Sequence, residues 1–208
     1  MPSTTHSTNI EFRTLSGRRL FGEHLLDGKI MSKDKVIDMQ LKPKVPAYQP
    51  AVKAILESDV IFITCGSPHG SVLSNFLPTG MKEAMKKSKA KIYLITNLLS
   101  ARNETHEFTP GNYLSMARKY SGCDIDALIV PKISRRQFEK KYKDVANLYD
   151  YEHSHFLGWK EKDFYDVRKN RVEIIKHDAV KIIDVKEENT KIVRHDPVKL
   201  AETLSSLL

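Results

Sequence analysis

V-I-F-I-T-C-G-S-P-H-G-S-V-L-S-N-F-L-P-T-G, residues 60–80, decides how the rest of the chain is read. Val60 to Thr64 is a short, almost wholly apolar and β-branched run, the pattern of a strand buried on both faces of a parallel sheet. It stops at Cys65-Gly66-Ser67, and a loop of small residues follows before the apolar pattern returns. A helical stretch, broken near Pro78-Thr79-Gly80, then runs on through MKEAMKKSKA. KIYLIT ending before Asn97, and DALIV ending at Val130, repeat the buried-strand pattern, each followed by a helical segment. Strand and helix in alternation predict a three-layer α/β fold, a mostly parallel sheet flanked by helices.

Working outward, residues 1–42 read as a small β-rich segment: IEFRTL, GRRLFGEHLLDGK and KVIDMQLKP are strand-like and punctuated by Gly17, Gly22 and Gly28. Glu23 and His24 are expected on a surface strand. Pro43, Pro46 and Pro50 form a stiff connection into the α/β region, residues 43–208. Pro50 suits the first turn of a helix whose Ala51, Ala54 and Ile55 face inward. YLSMARKYSG is a helix closed by Gly122. Ser134 and Gln137 have capping-box spacing, and Phe138, Tyr142, Val145 and Tyr149 follow the spacing of one helix face. RVEIIK and VKIIDV are strand-like, and Asp196-Pro197 opens a last helix.

The 208 residues carry 34 basic and 26 acidic side chains, a net charge of +8 that favours anionic partners. No apolar stretch approaches the roughly 18–20 residues of a membrane helix. The start, MPSTTHSTN, lacks the apolar core of a secretory signal. Cys65 and Cys123 offer neither metal-ligand spacing nor a disulfide framework, which fits a cytoplasmic chain with reduced thiols. Basic residues mingle with aromatics over residues 132–171, as on a nucleic-acid surface. Four of those aromatic and apolar residues already have a core-facing explanation and no binding-module signature is present, so a solvated basic helix is preferred.

Ligands of open α/β sheets sit at the carboxyl ends of the strands. Two loops fall there. In the first, Gly66 and Gly70 allow close backbone approach to a phosphate, while Ser67, Ser71 and nearby Asn75 supply polar groups. In the second, Asn97 either contacts ligand or holds the neighbouring loop. Glu104, with Thr105 beside it, either meets a metal or a sugar hydroxyl or serves as a cap or solvated group. Cys65 and His69 superficially pair as nucleophile and base, but a structural cysteine is the preferred reading. Arg194 and His195 are assigned to structure or an interface, and Asp196 to capping.

Together these segments resemble the family that joins 2-phospho-L-lactate transferase (CofD-like) to the gluconeogenesis factors (YvcK-like). CGSPHGSVLSNFLPTGMKEAM is similar to GPGSLYTSVLPNLLVPGIxEAI, matching at Gly66, Ser67, Ser71, Val72, Leu73, Asn75, Leu77 and Gly80. NLLSARNET resembles NLMTQPGET, matching at Asn97, Leu98, Glu104 and Thr105, and GEHLLD and VRHDPVKLAETL resemble GEHxID and RHDPxKLAxxL. Cys65, His69-Gly70 and Arg102-Asn103 depart from the family pattern, and neither its GGGTG loop nor its DDGG-type segment occurs here. The chain thus reads as the second half of the family's length: a fragment, a split gene product or a truncated homologue.

The resemblance implies a nucleotide-anchored ligand at the first loop. The nearer branch binds UDP-sugars such as UDP-N-acetylglucosamine and acts in carbon metabolism and cell-wall or cell-shape control. The other branch transfers a phospholactyl-type group from a guanosine diphosphate donor with a divalent metal such as magnesium. A binding or regulatory role is expected, with no firm cofactor and no assigned catalytic or metal residue. A second copy of the chain, or a partner supplying the other half, is the expected assembly. A scaffold that has lost its ligand is the third reading.

Overall fold

The structure, a computed structural model, describes residues 1–26, 34–101, 104–151, 153–178, 180–186 and 190–208. It opens with three antiparallel strands, β1 (Asn9–Thr14), β2 (Arg19–Phe21) and β3 (Val36–Lys42), in the order β2-β1-β3. Phe12, Val36 and Met39 of this sheet pack with Leu73 and Tyr120 of the main body, so the two share one apolar cluster. Glu23–Leu25 is a single 3₁₀ turn after β2, entered through Gly22 at φ 97°, and not the surface strand expected. Asp27 of the GEHLLD segment, and Arg102 and Asn103, lie outside the described residues.

Helix α1 (Gln49–Glu57) begins with Pro50 in its first turn, where a missing N–H breaks no helical bond. Ala51 is buried with Val52 and Ile55 beside it, whereas Ala54, expected inward, is exposed. The apolar stripe is centred between positions 51, 52 and 55, which leaves 54 on the solvent flank. There follow β4 (Val60–Ile63), α2 (Met81–Lys87), β5 (Lys91–Ile95), α3 (Pro110–Ser121) and β6 (Ala127–Pro131). Next come α4 (Arg135–Lys141), α5 (Lys143–Tyr151), α6 (Tyr165–Lys169) and β7 (Glu173–His177). The chain ends in a hairpin of β8 (Val180–Val185) and β9 (Thr190–His195), then α7 (Pro197–Ser205).

Strands β4-β5-β6-β7 form one wholly parallel sheet in that order. Alternation along the strands sends Ile63, Ile92, Leu94, Leu128 and Val130 to one face, against Met85, Leu114 and Val167 of α2, α3 and α6. Tyr93, Ile95, Ala127 and Ile129 face the other side, where Leu200 and Leu204 of α7 cover them. Helix, sheet and helix make the three layers. Every residue of β6 is buried, as its apolar sequence requires. In β4 only Ile63 is buried and Val60, Ile61 and Phe62 are half-covered, because β4 is the outer strand of this sheet among the described residues.

The face shared by Phe138, Tyr142, Val145 and Tyr149 survives in a separate apolar cluster, with Phe156 and Val193, but not as one helix. Tyr142 leaves helical geometry at φ −128°, ψ 53°, separating α4 from α5. The start of that segment is well specified. Ser134 and Gln137 form the reciprocal cap of α4, and Phe138 stacks on Phe156 with ring centroids 4.1 Å apart. Phe138, Tyr142, Tyr149 and Phe156 of the basic region are thereby spent on packing, whereas Tyr151 and Tyr165 are exposed. No helix among the described residues is long and apolar enough to cross a membrane, and both cysteines are free.

Candidate functional site

The loop after β4 closes on itself through Ser67. Its carbonyl accepts from the N–H groups of Ser71 (2.9 Å) and Val72 (3.0 Å), winding residues 68–72 into a wide π-type turn. Its hydroxyl accepts from the Gly70 N–H at 3.2 Å and donates to the Glu104 carboxylate at 3.0 Å. Glu104 also takes the His69 backbone N–H at 2.7 Å and lies 3.1 Å from His69 Nδ1. Both residues are buried, Glu104 at 6% exposure and His69 at 3%. A buried carboxylate is tolerable only when donors surround it. Three donors from one loop do so here, making Glu104 the pin that joins the first loop to the second.

Asn97, at the end of β5, donates from Nδ2 to the Gly66 carbonyl at 2.9 Å, and its Oδ1 accepts from the Tyr113 hydroxyl at 3.4 Å. Of the two roles left open by the sequence, the geometry here is that of holding the neighbouring loop. Thr105 is buried and its hydroxyl oxygen accepts from the Ala101 N–H at 2.8 Å, an internal brace of the second loop. Asn75 is exposed and donates to the carbonyls of Ser71 and Val72. Ser71 donates to Glu23 Oε1 at 2.9 Å, which brings Glu23 to the loop although the sequence placed it elsewhere. A Cβ on Gly70 would sit 2.3 Å from that carboxylate, so glycine there permits the Glu23 approach.

An open cavity of about 360 Å³ lies at the carboxyl ends of β4 and β5, between the first loop and the end of β9. Cys65, Gly66, Ser67 and Asn97 form one wall, Leu98 and Leu99 the apolar part, and Val193, Arg194 and His195 the other wall. The Arg194 guanidinium is the fixed positive charge among these residues and is exposed, with one N–H donated to the Val193 carbonyl at 3.0 Å. His195 places Nε2 at 3.2 Å from the Thr96 carbonyl, and burial holds its pKa below the ordinary value. With Nε2–H donating to that carbonyl, neutral Nδ1 is left as an acceptor, and it has no partner among the described residues. Asp196 caps α7 through the N–H groups of Val198 (3.0 Å) and Lys199 (3.3 Å), as expected.

Gly66, Ser67 and Asn97 thus line the cavity, while Gly70, Ser71, Asn75, Glu104 and Thr105 build the loops behind it. Arg194 and His195, assigned from the sequence to structure or an interface, both line this cavity. The available signal was the position of VRH at the end of a strand, directly before the helix that Asp196 caps. Burial pushes the Cys65 thiol up, away from the thiolate, and the His69 ring is committed to Glu104. That arrangement does not prepare a nucleophile–base pair.

The family model described as 2-phospho-L-lactate transferase CofD matches residues 1–180, and the chain belongs to this family. It is 33% identical over 132 residues to a protein of Aquifex aeolicus named "Putative gluconeogenesis factor", covering 62% of this chain and 40% of that protein. A Thermotoga maritima protein of the same name is 26% identical over 197 residues, covering 88% of this chain and 59% of that one. The chain therefore spans roughly half the length of these relatives. A crystal structure of a UPF0052 family protein from Bacillus halodurans superposes with a TM-score of 0.80 at 24% identity, over 97% of this chain and 60% of that one. That likeness concerns the fold.

Proposed function

We propose that the chain binds a phosphorylated nucleotide ligand, of the UDP-sugar class exemplified by UDP-N-acetylglucosamine, in the cavity between Gly66-Ser67 and Arg194. The observation that carries this reading is the pairing of a small-residue strand end with a guanidinium across an open cavity of about 360 Å³. Glycine permits close approach of a diphosphate, and a bidentate guanidinium matches its oxygens. Leu98, Leu99 and Cys65 offer an apolar surface for a base or sugar face. A sensing or regulatory role in carbon metabolism and cell-wall or cell-shape control is preferred over group transfer. The supporting observation is that Glu104, the acid at the strand ends, is fully committed to Ser67 and His69. A second copy, or a partner that completes the site, belongs to the same proposal.

The test is thermal unfolding of the purified chain with UDP-N-acetylglucosamine, with GDP and magnesium, or with neither. A ligand that binds only the folded state adds about 2.7 kcal/mol at a hundredfold excess over Kd. Stabilisation by the UDP-sugar, lost in Arg194→Ala, supports the reading. Stabilisation by GDP with magnesium alone moves the chain to the transferase branch, and no shift with either ligand rejects nucleotide binding by this chain on its own.

A further inference from the structure

Directly after Glu104 and Thr105, the second loop carries His106 and Glu107 towards His155. One ligand atom from each of these three residues lies within 4.8 Å of the other two. The imidazoles meet edge to face with centroids 4.9 Å apart, and His106 Nε2 is 3.6 Å from Glu107 Oε1. Ligand atoms around a tetrahedral zinc ion, at bond lengths of about 2.0–2.2 Å, are separated by about 3.4 Å. One edge of the triangle is close to that spacing, and the others need only side-chain rotations of the exposed Glu107 and half-exposed His106.

His155 is the fixed member. Ser100 N–H donates to its carbonyl at 2.8 Å, and Leu99 pairs with Phe156 as a short antiparallel bridge. Ser100 Oγ accepts from the His155 backbone N–H at 2.9 Å and lies 3.2 Å from Nδ1, which leaves Nε2 for a metal. Metal-ligating histidines are usually held through their second ring nitrogen, by a carboxylate, carbonyl or water, and the Ser100 hydroxyl holds that place here. Two further features have no explanation among the described residues. His106 Nδ1 is buried without a hydrogen-bond partner among the described residues, and Glu107 holds a left-handed backbone at φ 64°, rare for a side-chain-bearing residue.

We infer that His106, Glu107 and His155 form a binding site for a divalent transition metal of the zinc class, with at least one coordination position open. Two imidazoles and one carboxylate suit zinc or its neighbours, and not magnesium or calcium, which take oxygen ligands. The site is separate from the cavity at Arg194 and does not depend on the nucleotide reading. Its open side faces a second cavity of about 290 Å³, lined also by Arg135, Arg136, Lys160 and Asp163, with Arg135 paired to Glu139. The position left by the protein would hold water.

The full chain, freed of metal by chelator dialysis, is titrated with Co(II) by visible absorption and with Zn(II) by calorimetry. The expected result is saturation at one equivalent, ligand-field bands of four- or five-coordinate cobalt, and no displacement by excess magnesium. Glu107→Gln alters an exposed side chain and His106→Gln a half-buried one, and unchanged circular dichroism shows that both fold. Each is expected to weaken binding about tenfold or more, whereas His6→Gln, on the exposed N-terminal segment, leaves it unchanged. Absence of a saturable equivalent in the parent chain, or equal affinity in parent, Glu107→Gln and His106→Gln, overturns the assignment.

Discussion

Glu104 and His177 show how a single buried ionisable group acts differently according to its partners. Glu104 is surrounded by donors, so Glu104→Ala strands the buried His69 N–H and takes the acceptor from the part-buried Ser67 hydroxyl. Leaving such groups unpaired costs about 1–3 kcal/mol each. A stability loss on the order of 3 kcal/mol in urea unfolding is expected, with Glu104→Gln milder because its amide oxygen keeps one acceptor. Equal stability of Glu104→Ala and the parent would show that the two loops are not pinned there. The same geometry makes Ser67→Asp a poor probe of ligand binding, since a second carboxylate would face Glu104.

His177 has no such help. It is 4% exposed, stacks on His195 with centroids 5.3 Å apart, and neither ring nitrogen has a partner among the described residues. Burial first, then the neighbouring His195, lowers its pKa from 6.5 to about 4. The unfolded chain takes up this proton near pH 6.5 and the folded chain only near pH 4. Stability from this group is therefore complete above about pH 6.5 and lost as pH falls towards 4, by on the order of 2 kcal/mol. His177→Leu should flatten the stability profile across that window, and a slope unchanged by the substitution would refute the assignment.

Among elements, the legibility of the sequence followed local chemistry. The capped helices were readable because Ser134 with Gln137, Gly122 and Asp196 with Pro197 act on neighbours a few residues away. Asp196→Ala should accordingly cost about 1 kcal/mol, measured by thermal unfolding, through loss of the cap on α7. The break at Tyr142 was not readable, because the 4-3-4 spacing is satisfied equally by one helix or by two that share a core face. Nor was the outer position of β4, since its apolar residues resemble those of β6. Strand order is a property of the sheet and not of the strand.

On the scale of the whole molecule, the layers and the parallel sheet followed from strand and helix alternation, while the cavity did not. Its second wall comes from β9, some 130 residues beyond the first loop, and no spacing rule joins Arg194 to Gly66. Glu23 is a similar case, brought to Ser71 by packing of the N-terminal sheet on the body. Because Phe12 and Met39 cover Leu73 and Tyr120, a chain shortened to residues 43–208 should expose that apolar face and aggregate. Soluble, monomeric behaviour of the shortened chain in sizing chromatography would show that the sheet is an independent unit.

Asn97 ties the Gly66 carbonyl to Tyr113, and Tyr113 in turn meets the ring of Trp159 edge-on at 5.9 Å. Trp159 is the only tryptophan in the chain, and its indole N–H is held by the Phe108 carbonyl at 3.0 Å. An emission spectrum therefore reports one environment, linked through two side chains to the wall of the cavity. The molecule carries a built-in optical gauge: anything that displaces the Gly66 loop should change the intensity or wavelength of that single fluorophore without a label being attached.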